Sequence, residues 1–299
     1  MAIFHASTKT ISRSSGRSSV AASAYRTGTL LVDERTGLTH DYSRRSGVDY
    51  QTIITPDGQH NAIDRNQLWN AAEAAENRKD ARTAREWVVA LPSELSPDQQ
   101  RELVNEFGAH LAQRYNVAVD LAIHAPDAHG DQRNTHAHIL MTTREIALNS
   151  DSERLEAVLG QKATLELSNS KRASMGLGKA SGDILEIRAA WADHANQHLE
   201  RAGQSERIDH RSLEAQNIDR TPTQHMGYIA TEMERRGIAS DRGDQNRQIH
   251  TDNAQKAQIQ QELTGLHLEQ GQNAFAALQQ EYKTYQKSLL QGIDRGRDR

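Results

Sequence analysis

The chain has 299 residues, no cysteine and a formal net charge of −4 at pH 7, which excludes disulfides and thiolate metal sites and leaves nitrogen and oxygen as the only metal ligands. Apolar residues make up 36% and mean hydropathy is −0.79, so part of the chain is expected outside a packed core. The start, MAIFHASTK, has no apolar secretory stretch and nothing later approaches membrane-spanning length, implying a cytoplasmic protein without membrane insertion. The acidity speaks against a nucleic-acid ligand, but its distribution does not. Lys9, Arg13, Arg17 and Arg26 come early with no acid among them, a cationic arm able to grip phosphates.

In chain order, residues 2–7 read as a short strand and 11–19 (ISRSSGRSS) as a polar loop. Ser18 or Ser19 can cap a helix running to about Arg26, with Gly28 as its stop. Residues 66–84 are helical in composition, and 85–92 (REWVVALP) alternate as a strand ended by Pro92. Ser96 and Pro97 open a helix in which Leu103, Phe107, Leu111 and Tyr115 form a stripe of buried character. Residues 116–124 (NVAVDLAIH) and 136–143 (HAHILMTT) both alternate with period two across a polar loop, and 184–203 form a long helix closed by Gly203. The predicted class is therefore α+β, a central antiparallel sheet flanked by helices. From about residue 240 the composition turns to Gln, Ala and Leu. A main domain over 1–240 is expected, then a helical tail or linker over 241–299 whose end, DRGRDR, is expected to be disordered.

The chemistry concentrates in HAH. Alternate residues of a strand share a face, so His136 and His138 present two imidazoles side by side. In NVAVDLAIH the valines, Leu121 and Ile123 form one face and leave Asp120 and His124 on the other. If these strands pair, three neutral imidazoles meet, which suits a divalent transition metal with positions open for a substrate oxygen. An H-x-H pair can equally be two solvated rings, and His129 in the intervening loop is a rival ligand. The histidine spacing does not fit a helical zinc-protease motif. Glu86 shares a strand face with Val88 and Ala90. It can orient a metal-bound imidazole, accept a nucleophile's proton, or face solvent. Tyr25, in RSSVAASAYRTG, is open among a core ring, a surface ring and a nucleophile.

These blocks resemble, in order, the MobA/MobL family of conjugative relaxases, plasmid-mobilisation nickases of the HUH endonuclease class. MAIFHASTKTISRSSGRSSVAASAYR looks like the family's N-terminal segment with its helix-borne tyrosine. VVALP, the SPDQQ helix, LAIH, NTHAHILMTTR, WADHANQHLERAG and RIDHRSLEAQNIDRTPTQHMG follow, so the resemblance spans roughly residues 1–230. One departure is the loop between His124 and His136, longer than is usual for the family. The resemblance implies the HUH relaxase fold and metal-dependent nicking of one strand at a plasmid origin of transfer, through a 5′-phosphotyrosyl intermediate that is resealed after transfer. It implies Tyr25 as nucleophile and His124, His136 and His138 as holders of a divalent ion, Mg²⁺ or Mn²⁺ ahead of Zn²⁺. Glu86 would support a histidine or the tyrosine. DNA contacts are expected from His5, Lys9, Arg13, Arg17, Arg26, Arg207 and Arg211. The implied partners are single-stranded origin DNA, accessory relaxosome proteins and a type IV secretion coupling protein. An HUH replication initiator and a non-catalytic, metal-containing DNA-binding protein are the alternatives.

Overall fold

A computed structural model describes residues 2–126, 131–149, 156–268 and 272–295. Strand β1 (Ala6–Ser12) leads through a 3-10 turn into α1 (Ser19–Thr27), followed by the hairpin β2 (Leu30–Asp33) and β3 (Leu38–Asp41). Next come β4 (Val48–Ile54), α2 (Arg65–Ala74), β5 (Arg82–Ala90), α3 (Pro97–Tyr115), β6 (Val119–His124) and β7 (His136–Thr142). A second hairpin, β8 (Arg144–Asn149) and β9 (Glu156–Lys162), precedes α4 (Asn169–Ser174) and α5 (Ala180–Arg201). Helices α6 (Gly227–Arg235), α7 (Asp241–Leu268) and α8 (Gln272–Arg295) follow. None of the helices among the described residues is long and apolar enough to cross a membrane.

Strands β1, β5, β7, β6 and β4 form, in that order, one antiparallel sheet. Its strands alternate between two cores. Val119, Leu121, Ile123, Ala137, Ile139 and Met141 pack with Phe107, Leu111 and Trp191 of α3 and α5. Ala84, Leu140, Ile11 and Ile53 pack with Val20, Ala22 and Ala24 of α1 and Leu68 and Trp69 of α2. Burying each such Leu- or Phe-sized side chain contributes roughly 1.5–3 kcal/mol. Helix α3 starts as expected, with a capping box between Ser96 and Gln99 and Pro97 in the first turn.

Two expected boundaries move. The first strand is not 2–7 but β1, which takes in Ile11 and Ser12 of the supposed polar loop. Ile11 pairs with Ala84 and is buried, so sheet pairing outweighs local polarity. The helix expected to 84 ends at Ala74, because Arg82, Thr83 and Ala84 already belong to β5. Tertiary pairing overrides the helical composition there.

The chain divides into two compact units, Met1–His210 and Arg211–Arg299. The division falls ahead of residue 240 because residues 211–240 bond to the helices after them. Asn253 bonds both ways with the Thr221 backbone, and Asn246 does so with Gln224. The second unit is helical, with α7 against α8. Of DRGRDR, Asp294 and Arg295 are in α8, and 296–299 lie outside the described residues.

Candidate metal centre and nucleophile helix

The register of β6 and β7 assembles the histidines. His124 lies directly opposite His136, and Ala122 lies opposite His138. Opposite and diagonal neighbours on one sheet face approach within side-chain reach. The ring centroids are 5.4 Å apart for His124 and His136, 4.6 Å for His124 and His138, and 5.2 Å for His136 and His138. One ligand atom from each converges within 4.8 Å of the others. The rival His129 lies outside the described residues.

Each imidazole has one nitrogen engaged by an acceptor. His124 Nε2 donates to the Arg26 carbonyl at 2.6 Å, His136 Nδ1 to the Asn134 carbonyl at 3.1 Å, and His138 Nδ1 to Glu86 Oε1 at 2.6 Å. A carbonyl or carboxylate oxygen only accepts, so the second nitrogen of each neutral ring keeps its lone pair. Burial pushes His124 down to about 4, with His138, Arg45 and His136 adding to the effect and the Arg26 carbonyl opposing it. Burial also lowers His138, against the pull of Glu86. Three imidazoles that converge in this way fit one divalent ion with positions left for oxygen ligands.

Glu86 is wholly buried. Burial alone would raise its carboxyl, but hydrogen bonds from His138 and Arg26 and the Arg26 charge hold it well below the usual carboxylate range. Arg26 clasps it through Nε and through Nη2, the latter at 2.7 Å. Lys9, opposite Glu86 in the β1–β5 register, adds an ion pair at 3.1 Å. With both oxygens so engaged, Glu86 orients His138 and is poorly placed to take another proton.

Helix α1 is tied over this face by its own polar residues. Ser18 caps it, accepting from the Ala21 amide, and also donates to Asp33 at 2.7 Å. Ser19 donates from amide and hydroxyl to Glu73. Ser23 donates to Asp120 at 2.7 Å. Gly28, at φ 64, ends the helix in the left-handed region that glycine adopts without strain. Val20, Ala22 and Ala24 are buried beneath it. Tyr25 projects outward, 47% exposed. Its ring meets Tyr42 edge-on at 5.2 Å, and the Arg45 guanidinium lies 3.8 Å from the ring centroid while donating to the Tyr25 carbonyl at 3.0 Å.

The expected cations separate into different roles. Lys9 is half-exposed beside Glu86, and Arg17 is exposed. Together with Ala21, Tyr25 and Arg26 they line a depression of about 290 Å³. Arg13 does not fit a phosphate role. Its guanidinium is taken up by the Glu73 carboxylate and by the carbonyls of Glu73, Glu76 and Arg78. Arg26 is likewise committed to Glu86 and the Ala22 carbonyl. His5 is exposed ahead of β1, its Nε2 3.2 Å from the Ser7 hydroxyl. Arg207 donates to the carbonyls of Gln204 and Glu206, and Arg211 belongs to the second unit.

Two features escaped sequence reasoning. Arg45 and Tyr42 follow the short hairpin β2–β3, and nothing in YSRRSG marks them as partners of Tyr25. Asp120 was visible on the histidine face, but its role was not. It is buried and accepts from Ser23, Arg65 and the Trp69 indole, so it joins α1 and α2 to the sheet.

The model of the MobA/MobL family matches residues 17–236. Mobilization protein MobL of Acidithiobacillus ferridurans is 38% identical over 84% of this chain and 67% of its own length. Mobilization protein A of Escherichia coli is 37% identical over 87% of this chain. The chain spans 34% of that relative's length and 50% of the similar probable mobilization protein MobA of Bifidobacterium longum. A solved structure described as the molecular basis of vancomycin resistance transfer in Staphylococcus aureus is 30% identical, covering 71% of this chain and 100% of that one at a TM-score of 0.54. A family model matching most of the chain, relatives that share more than a third of its residues, and a sheet that carries three histidines beneath a tyrosine-bearing helix agree: the chain belongs to the MobA/MobL family.

Proposed function

We propose that this chain is a metal-dependent DNA nickase and strand transferase that cuts one strand at a plasmid origin of transfer and carries it on Tyr25. The observation that carries this reading is the bond between His124 and the carbonyl of Arg26, the residue next to Tyr25. It links the helix of the candidate nucleophile to the candidate metal centre.

In this reading His124, His136 and His138 hold a divalent ion, Mg²⁺ or Mn²⁺ ahead of Zn²⁺. Bound there, the ion supplies charge neutralisation at a non-bridging phosphate oxygen. Glu86 keeps His138 in the tautomer that leaves its other ring nitrogen free for the ion, and Arg26 and Lys9 keep Glu86 ionised. Lys9 and Arg17 contact neighbouring phosphates, and Arg45, poised over the phenol, faces the charge that builds up during attack. The Tyr25 oxygen bonds to phosphorus as the P–O3′ bond breaks. The phenolic proton passes to solvent, and the departing 3′-oxygen gains one. The product is a phosphodiester to tyrosine, so attack by a 3′-hydroxyl reverses the step and reseals the strand, which hydrolysis would not permit. Single-stranded origin DNA is the substrate. Accessory relaxosome proteins and a type IV secretion coupling protein are the partners the mobilization role would require.

The test is incubation with labelled single-stranded origin DNA and Mn²⁺ or Mg²⁺. The expected product is a DNA adduct that survives SDS and maps to Tyr25. Equal adduct from Tyr25→Phe would remove Tyr25 as nucleophile. DNA binding with no adduct under any metal would favour the non-catalytic alternative.

A further inference from the structure

A second and larger depression lies at the N-terminal end of α1. It holds about 500 Å³ between the turn before the helix, the β2–β3 hairpin and residues 77–79. Five cations line it, Arg13, Arg17, Arg35, Arg78 and Lys79, against one lining carboxylate, Asp33. That carboxylate is buried, and Ser18 and the Thr36 amide bond to it.

Three of the cations have structural work to account for them. Arg13 and Arg35 share the buried Glu73, and Arg78 pairs with Asp80. Arg17 and Lys79 differ: both are exposed, and among the described residues neither pairs with a carboxylate. Two unpaired cations lining one cleft keep the potential positive, which favours a polyanion over a neutral or cationic ligand.

The cleft also has a direction. It shares Gly16, Arg17, Ser18 and Ala21 with the smaller depression that reaches Lys9, Tyr25 and Arg26. The two form one trough along the outer flank of α1, whose nine residues span roughly 13 Å. An extended single strand can follow such a trough with successive phosphates.

We infer that this cleft is a separate phosphate-holding subsite for single-stranded DNA, with Arg17 and Lys79 as its charge-bearing residues. It holds the strand to one side of the nucleotide at Tyr25 and takes no part in metal binding or bond breaking. The inference rests on the proposed function, because it presumes that a single strand passes Tyr25.

Anisotropy titrations of a labelled oligo-dT of about twelve nucleotides, in EDTA and over a range of salt, test it without any chemistry. The Arg17→Ala/Lys79→Ala double variant is compared with the native chain and with Arg101→Ala, an exposed cation on α3 outside the trough. All three substituted side chains are on the surface, and circular dichroism checks the fold. At low salt the double variant is expected to bind about tenfold or more weakly. Its slope of log affinity against log salt should be shallower by about 1.4, two phosphates at roughly 0.7 each. Arg101→Ala should match the native chain. A double variant with native affinity and slope overturns the subsite alone. Absence of oligo-dT binding by the native chain overturns the subsite, and absence of the Tyr25 adduct as well overturns the strand-transfer reading with it. The adduct assay separates the two readings further, since a native chain that forms the Tyr25 adduct while the double variant keeps its full salt slope leaves only the subsite refuted.

Discussion

The carbonyl of Arg26 accepts a 2.6 Å hydrogen bond from Nε2 of His124, so the residue after Tyr25 and the first histidine of the cluster are held to each other directly. The same arginine clasps Glu86 with its side chain, and Glu86 in turn holds His138. One residue of α1 therefore reaches two of the three histidines, one through its backbone and one through a carboxylate. Helix placement and imidazole orientation are coupled, and disturbance of one is expected to reach the other.

That coupling makes Glu86→Gln informative. The amide can still lie against His138, but it no longer carries the charge that balances Arg26 and Lys9. Loss of such an orienting carboxylate lowers metal affinity by about 10–100-fold, and stranding a buried cation costs about 3–5 kcal/mol of stability. Calorimetric titration with Mn²⁺ and denaturant unfolding in EDTA should both move. Native metal affinity in a folded variant would show that Glu86 serves only the fold.

His136→Ala removes a candidate ligand without touching the Glu86 network. Its Mn²⁺ affinity should fall by more than that of Glu86→Gln, and nicking should be lost. Oligo-dT binding in EDTA should stay near native, because the phosphate contacts are assigned to other residues. A variant with unchanged metal affinity would break the three-histidine assignment.

Arg45 carries a prediction of its own. Its guanidinium lies over the Tyr25 ring, so Arg45→Ala should slow single-turnover adduct formation by about 10²-fold, the scale of losing one donor to developing charge. Metal affinity should hold, and Arg45→Lys should recover part of the rate through its charge but not its planar fork. A native rate in Arg45→Ala would leave the residue as a packing partner of Tyr25.

Ser23→Ala tests how α1 is held. The lost bond goes to a buried carboxylate, and such bonds contribute about 1.5–3 kcal/mol. Asp120 keeps Arg65 and Trp69 as partners, so the loss should be at the low end, read from denaturant midpoints at unchanged m-value. No loss would mean that the Ser23–Asp120 bond does not help to place the helix.

The metal-free protein should also lose stability on mild acidification. Burial, with the charges of His138, Arg45 and His136, depresses folded His124 to about 4, while the unfolded ring titrates near ~6.5. Between those values the unfolded chain binds a proton that the folded chain refuses, so stability is intact above about 6.5 and declines as pH falls toward 4. The full effect is about 3 kcal/mol. Unfolding in EDTA across this window should show the decline, and His124→Gln should reduce it, leaving the smaller part that comes from the lowered His138. Saturating Mn²⁺ should extend native stability to lower pH, since the ion competes for the same lone pair. An equal slope in His124→Gln would place the titration elsewhere.

The strand faces, the helix stops and the candidate ligands were legible because they are local. Alternation put Asp120 with His124 and His136 with His138, and Ser18 and Gly28 bounded the tyrosine helix. Local pattern marks neither the hairpin β2–β3, nor the edge strand β4, nor the pair β8–β9, and it carries α2 past its end at Ala74. Short strands and element ends depend on partners distant in sequence.

By itself the sequence determined which side chains share a face, since periodicity and capping act over a few residues. Only the tertiary structure decided which face meets which. The β6–β7 register set His124 opposite His136, β5 delivered Glu86 to His138, and Glu73 claimed Arg13 from across sixty residues of chain. A cation's role depends on whether a carboxylate lies within reach once the chain has closed, and no local pattern carries that distance.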